Sequence, residues 1–360
     1  MSHQHSPAPL SPALRAALGG LRITDGTPRV EVDDDLVVAA DTWGELRSAL
    51  AGLLYERWHA GIVRQEGPAR MPRRSETFER ELIAATGHTR TVAAGVLRSP
   101  VEAADGGADG PVRVELGRVL VGVRPGAVRS DGPPAVGRPC VVELPAVRPA
   151  LSPGFLLVDG PDGSPVRSGE VLRLYVHLAE PGAAPPVWRA LLERLAGLGV
   201  RYRAKVLSRP WTYPRRDAVV VYLGGADAAV APVLADAVAG LPGVAGDASV
   251  FASPLRPGVA LAWEPRDERD GWGGRSFGQH RAAAVADGVV RRATDPAGPP
   301  LEEQVAQALR EASASPAEPA RNLGSPALPA PAVPGADVPV ADVPDAEVLV
   351  ADVPDAEVLV

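Results

Sequence analysis

The stretch from residue 201 to residue 223, RYRAKVLSRPWTYPRRDAVVVYL, predicts two successive β-strands with different surroundings. In the first strand, the alternation of side chains places Arg201, Arg203 and Lys205 on one face. The second strand, DAVVVYLG, is an apolar run that predicts a buried strand. A sheet that contains both strands therefore has a cationic face beside its apolar core.

A second polar stripe is predicted on an earlier strand. The segment VLRLYVHL, residues 171–178, follows the turn signal GPDGS. Its leucines and valines alternate with Arg173, Tyr175 and His177, so these three side chains share one face. A face with Arg, Tyr and His together is suited to an anionic group.

Amphipathic helices are predicted before, between and after these strands. The helix DTWGELRSALAGLLYERWH begins with Thr42 and Glu45 at capping-box spacing, and a second helix begins after Ser75. Further helices are predicted in APPVWRALLERLAGLG, ADAAVAPVLADAVAGLPG, SFGQHRAAAVADGVVRRA and LEEQVAQALREA, and further strands in PVRVELGRVLVGVRPG and CVVELP. This order predicts an α+β fold in which N-terminal helices precede a mixed, mainly antiparallel sheet with packed helices.

The domain organisation is predicted from the positions of Pro and Gly and from the spacing of apolar residues. Residues 1–30 are interrupted by Pro and Gly and predict a flexible N-terminal segment with one short helix near residues 10–21. Residues 31–312 predict a single α+β domain, whose helical part is expected at 31–90 and whose mixed part is expected at 91–312.

The C-terminal part has a different composition. Residues 313–360 are rich in Ala, Pro, Val and Asp, and the decapeptide ADVPDAEVLV occurs at 341–350 and again at 351–360. Two copies are too few for a solenoid, so we predict a disordered acidic tail, with a docking strip for a partner as the alternative. From residue 301 onward there are 11 acidic and 2 basic side chains, whereas the first 300 residues carry 33 acidic and 35 basic ones.

Composition also excludes several classes of function. A nearly neutral body argues against a general nucleic-acid-binding protein. A single cysteine, Cys140, excludes an internal disulfide and is expected to be a core thiol. The histidines show no ligand spacing to one another, so neither a metal nor another cofactor is expected. No signal peptide and no membrane span are visible in the sequence, and we therefore expect a cytoplasmic protein.

Lys205 is the only lysine in the chain, although Lys and Arg together number 37. Drift of the composition toward arginine could leave one lysine by chance. The chemical alternative is a base or a Schiff-base amine, because lysine can lose its proton in a protein and arginine cannot. Both readings remain open on composition alone.

A third polar cluster is predicted near a glycine-rich turn. The segment EPRDERDGWGGRSFGQHR holds Arg266, Arg275, His280 and Arg281 where a helix begins at Ser276. Arginines beside a helix N-terminus suit a phosphate, whereas pairing with the acidic residues of the same segment is an equal alternative. The glycine spacing matches neither the dinucleotide fingerprint nor the Walker loop, which argues against nucleotide binding.

Five segments together resemble the HopA effector-like family. They are LLYERWHAG, PALSPGFLLVDG, LRLYVHL, YRAKVLSRPWTYPRRDAVVVYL and GRSFGQHRAAAVADGV, and the resemblance runs from about residue 40 to about residue 295. Members of this family occur as type III effectors and in biosynthetic clusters of ribosomally made peptides, namely thioamide peptides (thioamitides) and one class of lanthipeptides. There they are paired with an aminoglycoside-phosphotransferase-like kinase.

The family is in turn distantly similar to phosphothreonine lyases, which implies specific roles for residues of this chain. Lys205 would be the base, and His177, in YVHL, would be the acid. Tyr175 stands where those enzymes have another lysine, which is a departure from their pattern. The resemblance implies that the phosphate is bound by Arg275 and Arg281, by Arg215 or Arg216, and by Tyr222. The polar strand faces described above add Arg173 and Arg203 as candidate phosphate ligands.

The resemblance thus implies a phospho-Ser/Thr lyase that converts a phosphorylated precursor peptide to dehydroalanine or dehydrobutyrine. Its expected partners are that peptide and the kinase, without nucleic acid or membrane. Two alternatives remain. The protein could be a non-catalytic partner that binds the kinase or the leader peptide, or a secreted effector that acts on host phosphoproteins.

Overall fold

The computed structural model of the protein describes residues 9–33, 36–62, 72–99, 111–165 and 169–330. The decapeptide repeat that the sequence shows at 341–360 lies outside these described residues. Among them, no helix combines the length and the apolar character that are needed to cross a membrane.

The described ranges contain seven α-helices, and their ends follow the local chemistry of the sequence. Thr42 and Glu45 form the predicted capping box, and Ser276 forms another with Gln279. The hydroxyl of Ser75 accepts a hydrogen bond from the backbone N–H of Phe78, as expected of an N-cap. The helices are α1 (Pro12–Leu18), α2 (Trp43–Leu54), α3 (Glu76–Ala84), α4 (Ala184–Leu198), α5 (Ala231–Val238), α6 (Phe277–Thr294) and α7 (Leu301–Glu311).

The strands form three antiparallel sheets, so the predicted α+β fold with a mainly antiparallel sheet is confirmed. The strands are β1 (Leu21–Ile23), β2 (Arg29–Val32), β3 (Leu36–Ala39), β4 (Arg90–Leu97), β5 (Val112–Leu116), β6 (Val119–Val123), β7 (Val128–Arg129), β8 (Pro139–Pro145), β9 (Val147–Ser152), β10 (Phe155–Asp159), β11 (Val171–Leu178), β12 (Tyr202–Leu207), β13 (Arg215–Gly224), β14 (Ser253–Arg256) and β15 (Val259–Trp263). The seven-stranded sheet has the order β14-β15-β11-β13-β12-β10-β9, the five-stranded sheet β6-β5-β4-β8-β7, and the three-stranded sheet β1-β2-β3.

The seven-stranded sheet lies between two groups of helices. On the back face, Leu174 of β11 and Val221 of β13 join a large apolar cluster with Trp188 of α4 and Leu234 of α5. On the front face, which carries Tyr175, apolar side chains of α2, α6 and α7 form a second cluster. The predicted buried strand DAVVVYLG is thus β13, in the middle of the sheet.

The helix α2 continues directly into a π-helical segment, Tyr55–Ala60, which ends at Gly61 in the left-handed conformation. Such segments widen the backbone and are often found where side chains are placed for function. This one packs against β13 and α6, and it carries Tyr55 and His59 to the front face of the sheet.

The N-terminal part differs from the prediction. The short helix predicted near residues 10–21 is present as α1, but it places Leu14 and Leu18 in the front apolar cluster, although residues 1–30 were expected to be flexible. The part expected to be helical, 31–90, also contains strands of the three-stranded sheet. These strands are only three or four residues long, so their local pattern is weak, and burial of Val30 and Val32 in the front apolar cluster stabilises them.

The beginning of the predicted tail also differs. Residues 313–330 pack on the domain, with Ala320 buried and accepting a hydrogen bond from the backbone N–H of Trp263. The Trp263 indole N–H donates to the carbonyl of Pro326, and the Asn322 amide donates to the carbonyl of Glu264. The prediction of disorder from residue 313 is therefore wrong for this stretch, because partners far away in sequence satisfy its backbone.

Candidate functional site

Strand register aligns the predicted polar residues across the front face. Arg173 lies opposite Tyr222, and Tyr222 lies opposite Arg203 on the next strand. One row along, Tyr175 and Lys205 flank Val220 in the same way. The structure therefore brings the two polar stripes of the sequence onto one surface.

The Lys205 amine lies at the centre of this surface. Its Nζ is 4.5 Å from the centre of the Phe155 ring and 5.9 Å from the centre of the Tyr222 ring. All three side chains are half-buried. Among the residues that the structure describes, the amine has neither an ion-pair nor a hydrogen-bond partner. The Lys205 amine is thus placed over two aromatic rings, without a polar partner in the described part of the chain.

Beside Lys205, a buried group joins Arg215, Asp217 and Tyr55. Arg215 donates to both carboxylate oxygens of Asp217 at 2.7 Å and to the Tyr55 hydroxyl at 2.9 Å. Burial would raise the pKa of Asp217, but the charge and hydrogen bonds of Arg215 outweigh it and lower that pKa to about 2. Burial, together with the Asp217 charge, raises the pKa of Tyr55 to about 12. At neutral pH the carboxylate is therefore ionised and the phenol is protonated.

His59 lies behind this group, in contact with the ring of Tyr175. The two ring centres are 5.3 Å apart in an edge-on arrangement, and His59 Nδ1 is 2.9 Å from the hydroxyl oxygen of Ser249. A Cβ on Gly278 would lie 2.1 Å from the imidazole, so only glycine allows α6 to approach this closely. Burial lowers the pKa of His59 to about 4, which leaves the ring neutral at physiological pH.

The first predicted phosphate ligand, Arg173, is paired with a carboxylate. Its guanidinium donates to both carboxylate oxygens of Glu264 and lies 5.0 Å above the Tyr222 ring. Glu264 itself is partly exposed, with 36% of its side chain accessible. Arg173 therefore faces the Lys205 surface but shares its charge with a carboxylate that solvent can reach.

Arg203 is held more tightly. Its Nε and Nη2 lie 2.7 and 3.1 Å from the two carboxylate oxygens of buried Asp159, which also forms an ion pair with Arg148 at 3.1 Å. Asp159 belongs to β10, directly opposite Arg203 in the sheet. This pair holds two strands together, and a phosphate would have to compete with a buried carboxylate for Arg203.

His177 and Arg216 meet at one end of the front face through Asp247. The Nδ1 of His177 is 2.6 Å from one carboxylate oxygen of Asp247, and the Nε of Arg216 is 2.6 Å from the other. His177 lies on β11, two residues beyond Tyr175. Its Cα and that of Lys205 are about 12 Å apart, since strands lie about 4.8 Å apart and rise about 3.4 Å per residue.

Two predicted phosphate ligands lie away from Lys205. Arg281 is fully buried and donates to the carbonyls of Pro319 and Arg321 and to the side chain of Asn322. Arg275 donates to the carbonyl of Gly271, and its guanidinium is 5.0 Å from the Trp272 ring. The hydrogen bonds of Arg281 hold residues 313–330 in place, while its charge lies within electrostatic reach of Arg173 and Tyr175 on the front face.

Sequence reasoning missed several residues of this surface. Tyr55 and His59 arrive from the π-helical segment, and Asp217 begins a run that reads as simply apolar. The available signal was the segment LLYERWHAG, which contributes to the family resemblance. Within the described ranges, no three His, Cys, Asp or Glu side chains are grouped so that they could hold a metal ion.

Comparison with known proteins agrees with the motif resemblance. Residues 146–321, just under half of the chain, match the family model described as the HopA1 effector protein family. This region is HopA1-like. It contains Lys205, His177 and the arginines of the front face, whereas Tyr55 and His59 precede it. No curated protein matches the chain significantly.

Solved structures of effector proteins from Pseudomonas syringae resemble this chain. One, from pathovar tomato strain DC3000, is 15% identical with a TM-score of 0.43, and the match covers 78% of this chain and 90% of that one. Another, from pathovar syringae strain 61, is 16% identical with a TM-score of 0.42, and the match covers 78% and 94% of the two chains.

The site can combine proton transfer with anion binding. Lys205 offers a nitrogen that can accept a proton, and His177 offers an imidazole held by a carboxylate. Arg173 and Arg215 supply planar donors on the same face of the HopA1-like region.

Proposed function

We propose that this protein is a phosphoserine/phosphothreonine lyase, a carbon–oxygen lyase that eliminates phosphate from a phosphorylated precursor peptide of a ribosomally made natural product. The observation that carries the proposal is the Lys205 amine, which forms no ion pair or hydrogen bond among the described residues, borders Tyr222 and lies within electrostatic reach of Asp217. The motifs that resemble the HopA effector-like family support the same chemistry, because that family is similar to phosphothreonine lyases.

The reaction is a β-elimination. The neutral amine of Lys205 removes the proton from Cα of the phosphorylated residue, and that electron pair forms the Cα=Cβ double bond. The bond between Cβ and the phosphate oxygen breaks, and the phosphate leaves with the bonding electrons. His177 donates a proton to the leaving oxygen. The products are inorganic phosphate and dehydroalanine from phosphoserine, or dehydrobutyrine from phosphothreonine.

The negative charge on the departing phosphate must be stabilised by hydrogen-bond donors that are already in position. Arg173 and Arg215 face Lys205, and Tyr222 lies between Arg173 and Lys205. Because Glu264 is partly exposed, a phosphate dianion can take over the guanidinium of Arg173 while Glu264 turns to solvent. Arg215 retains Asp217 and would contribute through its remaining charge. Arg203 and Arg216 would act through their carboxylate partners.

The substrate of such a lyase must be made by a kinase. An aminoglycoside-phosphotransferase-like kinase, the partner that the family resemblance implies, would phosphorylate Ser or Thr of the precursor. The proposed reaction would then occur in the cytoplasm, without a cofactor.

A phosphothreonine peptide tests the proposal. We expect the wild-type protein to release inorganic phosphate and to leave a peptide whose mass is lower by one phosphoric acid. Lys205→Ala should reduce the rate by about 10²–10⁴-fold, the range typical for loss of a general base. Lys205→Arg should be equally inactive, because it keeps the positive charge and removes the base.

Arg201→Ala is the matched control, since Arg201 is an exposed cation that precedes the same strand. It should keep nearly full activity. Equal rates for wild type and Lys205→Ala, with folded protein in both cases, would contradict the lyase proposal.

A non-catalytic role is the second candidate, and one observation favours it. Arg173, Arg203, Arg215 and Arg216 each have a carboxylate partner, so the surface is largely neutralised before any phosphate binds. A protein that only binds the kinase or the leader peptide would show saturable binding to unphosphorylated precursor and no elimination. Calorimetric titration with phosphorylated and unphosphorylated peptide separates the two functions.

A further inference from the structure

Asp247 occupies a place that sequence reasoning did not single out. Its carboxylate bridges His177 Nδ1 and Arg216 Nε, at 2.6 Å from each. The backbone carbonyl of Asp247 also lies 3.2 Å from the same Nδ1. Two acceptors of one residue thus converge on one nitrogen of the imidazole.

The loop that carries Asp247 is fixed to β11. The backbone N–H of Ala245 donates to the carbonyl of His177 at 3.1 Å, and the N–H of Ala179 donates to the carbonyl of Gly243 at 2.9 Å. Gly258 has φ +71°, and a Cβ there would lie 1.9 Å from the carbonyl oxygen of Ala245. The close approach of the loop therefore requires glycine at that position, and Asp247 is held in place by backbone contacts.

Arg216 supports Asp247 from the other side. Its Nη1 donates to the carbonyl of Arg57, at 2.9 Å, near the end of the π-helical segment. A Cβ on Gly61 would lie 3.1 Å from the Arg216 side chain, so the chain passes close to it. These contacts place Arg216 as a scaffold between the π-helical segment and Asp247.

The chemistry of these contacts determines where the imidazole proton lies. Burial would raise the pKa of Asp247, but the hydrogen bond and charge of Arg216 outweigh it and lower that pKa, so the carboxylate is ionised at neutral pH. An ionised carboxylate and a carbonyl can only accept hydrogen bonds. The Nδ1 of His177 must therefore carry a hydrogen, and Nε2 is left as the other functional atom of the ring.

We propose that Asp247 is a positioning residue that keeps a hydrogen on Nδ1 of His177, so that Nε2 is the nitrogen that takes up a second proton from solvent and donates it, from the imidazolium, to the leaving phosphate. The second half of this statement rests on the proposed lyase function. The first half concerns the resting protein and holds whatever reaction the site performs. In this arrangement the protonated imidazole has its positive charge stabilised by Asp247 while Nε2–H faces the substrate.

The tautomer is measured directly by long-range ¹H–¹⁵N NMR on protein labelled at histidine. The His177 signals are assigned by their loss in His177→Gln. We expect the Nδ1–H pattern in the wild type and a shift toward the Nε2–H pattern in Asp247→Ala. Asp247→Asn should keep part of the Nδ1–H population, because its amide oxygen can still accept. A wild-type Nε2–H pattern, or an unchanged pattern in Asp247→Ala, would overturn the proposal.

Kinetics test the catalytic half on the full-length protein. Asp247→Ala should lower kcat by about 10–100-fold, the usual cost of removing a residue that orients a functional imidazole, with little change in KM. In the His177→Gln background, Asp247→Ala should cause almost no further loss, because the two residues act as a unit. A purely structural role would instead lower activity equally in both backgrounds and would overturn this half.

The two proposals fail in different ways. If the wild type shows no elimination from any phosphopeptide, the lyase function fails while the NMR result still decides the tautomer. If elimination occurs and the tautomer is Nε2–H, the lyase function stands and the role of Asp247 is rejected. Thermal unfolding of each variant establishes that the compared proteins are folded.

Discussion

On β11, Leu172, Leu174 and Val176 point to the back of the seven-stranded sheet, whereas Arg173, Tyr175 and His177 point to the front. The back face is covered by α4 and α5 and belongs to one continuous apolar cluster. The front face mixes apolar packing with ion pairs and the partly open surface around Lys205.

Within the same strands, we therefore expect the back face to determine stability and the front face to determine function. Burial of apolar area on the back supplies free energy of folding in proportion to the area removed from water. On the front face, the free energy lost when the paired charges leave water is largely offset by their hydrogen bonds. The ion pairs therefore contribute little net free energy of folding. Substitutions on the back should therefore change the free energy of unfolding, and substitutions near Lys205 should change function.

The largest effect on stability is expected for Trp188→Ala on the back face. Trp188 is fully buried, and its indole N–H donates to the hydroxyl of Thr86 at 3.0 Å. Removal of this side chain should lower the free energy of unfolding by about 3–5 kcal/mol. Urea denaturation measures the loss, and Lys205→Ala on the front face, which should change it by less than about 0.5 kcal/mol, is the control. Equal losses of unfolding free energy in the two variants would show that the two faces do not differ in their contribution to stability.

A smaller loss is expected where the C-terminal segment packs. Asn322 is buried, donates to the carbonyl of Glu264 at 2.7 Å and accepts from Arg281 at 2.8 Å. Asn322→Ala removes the hydrogen bond to the Glu264 carbonyl and one of the hydrogen bonds of Arg281, whose Nη2 still donates to the Arg321 carbonyl. It should cost about 1–3 kcal/mol, the usual cost of one unsatisfied buried group. The neighbouring Leu323, which is 57% exposed, is the control, and Leu323→Ala should have little effect on denaturant unfolding. Similar values for both variants would mean that residues 313–330 contribute little to folding.

Acid should lower the free energy of unfolding, because His59 is buried in its neutral form. Burial lowers the pKa of His59 from 6.5 to about 4, so the unfolded chain binds a proton there before the folded protein does. The resulting stability is fully present above pH 6.5 and is lost as the pH falls through about 4. The loss is about 3–4 kcal/mol, because each pKa unit corresponds to about 1.4 kcal/mol. His59→Gln should remove this part of the slope when unfolding is measured between these pH values. If the free energy of unfolding of His59→Gln keeps the same slope against pH, another titratable group is responsible for the acid sensitivity.

Local patterns predicted much of this arrangement, because both faces obey the period of two residues in a strand. Alternation correctly placed Arg173 and Tyr175 on one face of β11, and Arg203 and Lys205 on one face of β12, but only the strand pairing joins these faces into one surface. Cap chemistry predicted the starts of α2, α3 and α6. The order of strands was not predictable in this way. Pairing of β11 with β13 and of β12 with β10 depends on contacts between residues far apart in the chain.

The missed residues share one physical reason. Local pattern gives Tyr55 and His59 no role until the π-helical segment packs on β13, and Asp217 is explained only by Arg215 and Tyr55 beside it. Asp247 lies in a glycine-containing loop whose position depends on Gly258. Each becomes recognisable only when a distant partner is known, and so does the order in residues 313–330.

The smallest effect on stability is expected beyond both faces, on removal of residues 331–360. The described packing of the C-terminal segment ends with Leu328 against the apolar clusters, so truncation after residue 330 keeps all the contacts considered above. The free energy of unfolding should change by less than about 0.5 kcal/mol.

The charge, however, changes greatly: residues 331–360 contain seven acidic and no basic side chains, and the whole chain has a formal net charge of −7. The truncated protein is therefore formally neutral and should associate more readily near pH 7, since proteins without net charge repel one another weakly. Solubility measured against pH and salt tests this, with a variant in which the seven carboxylates are replaced by amides as the control for length. If that variant stays as soluble as the wild type while the truncated protein precipitates, the length of the tail matters and its charge does not.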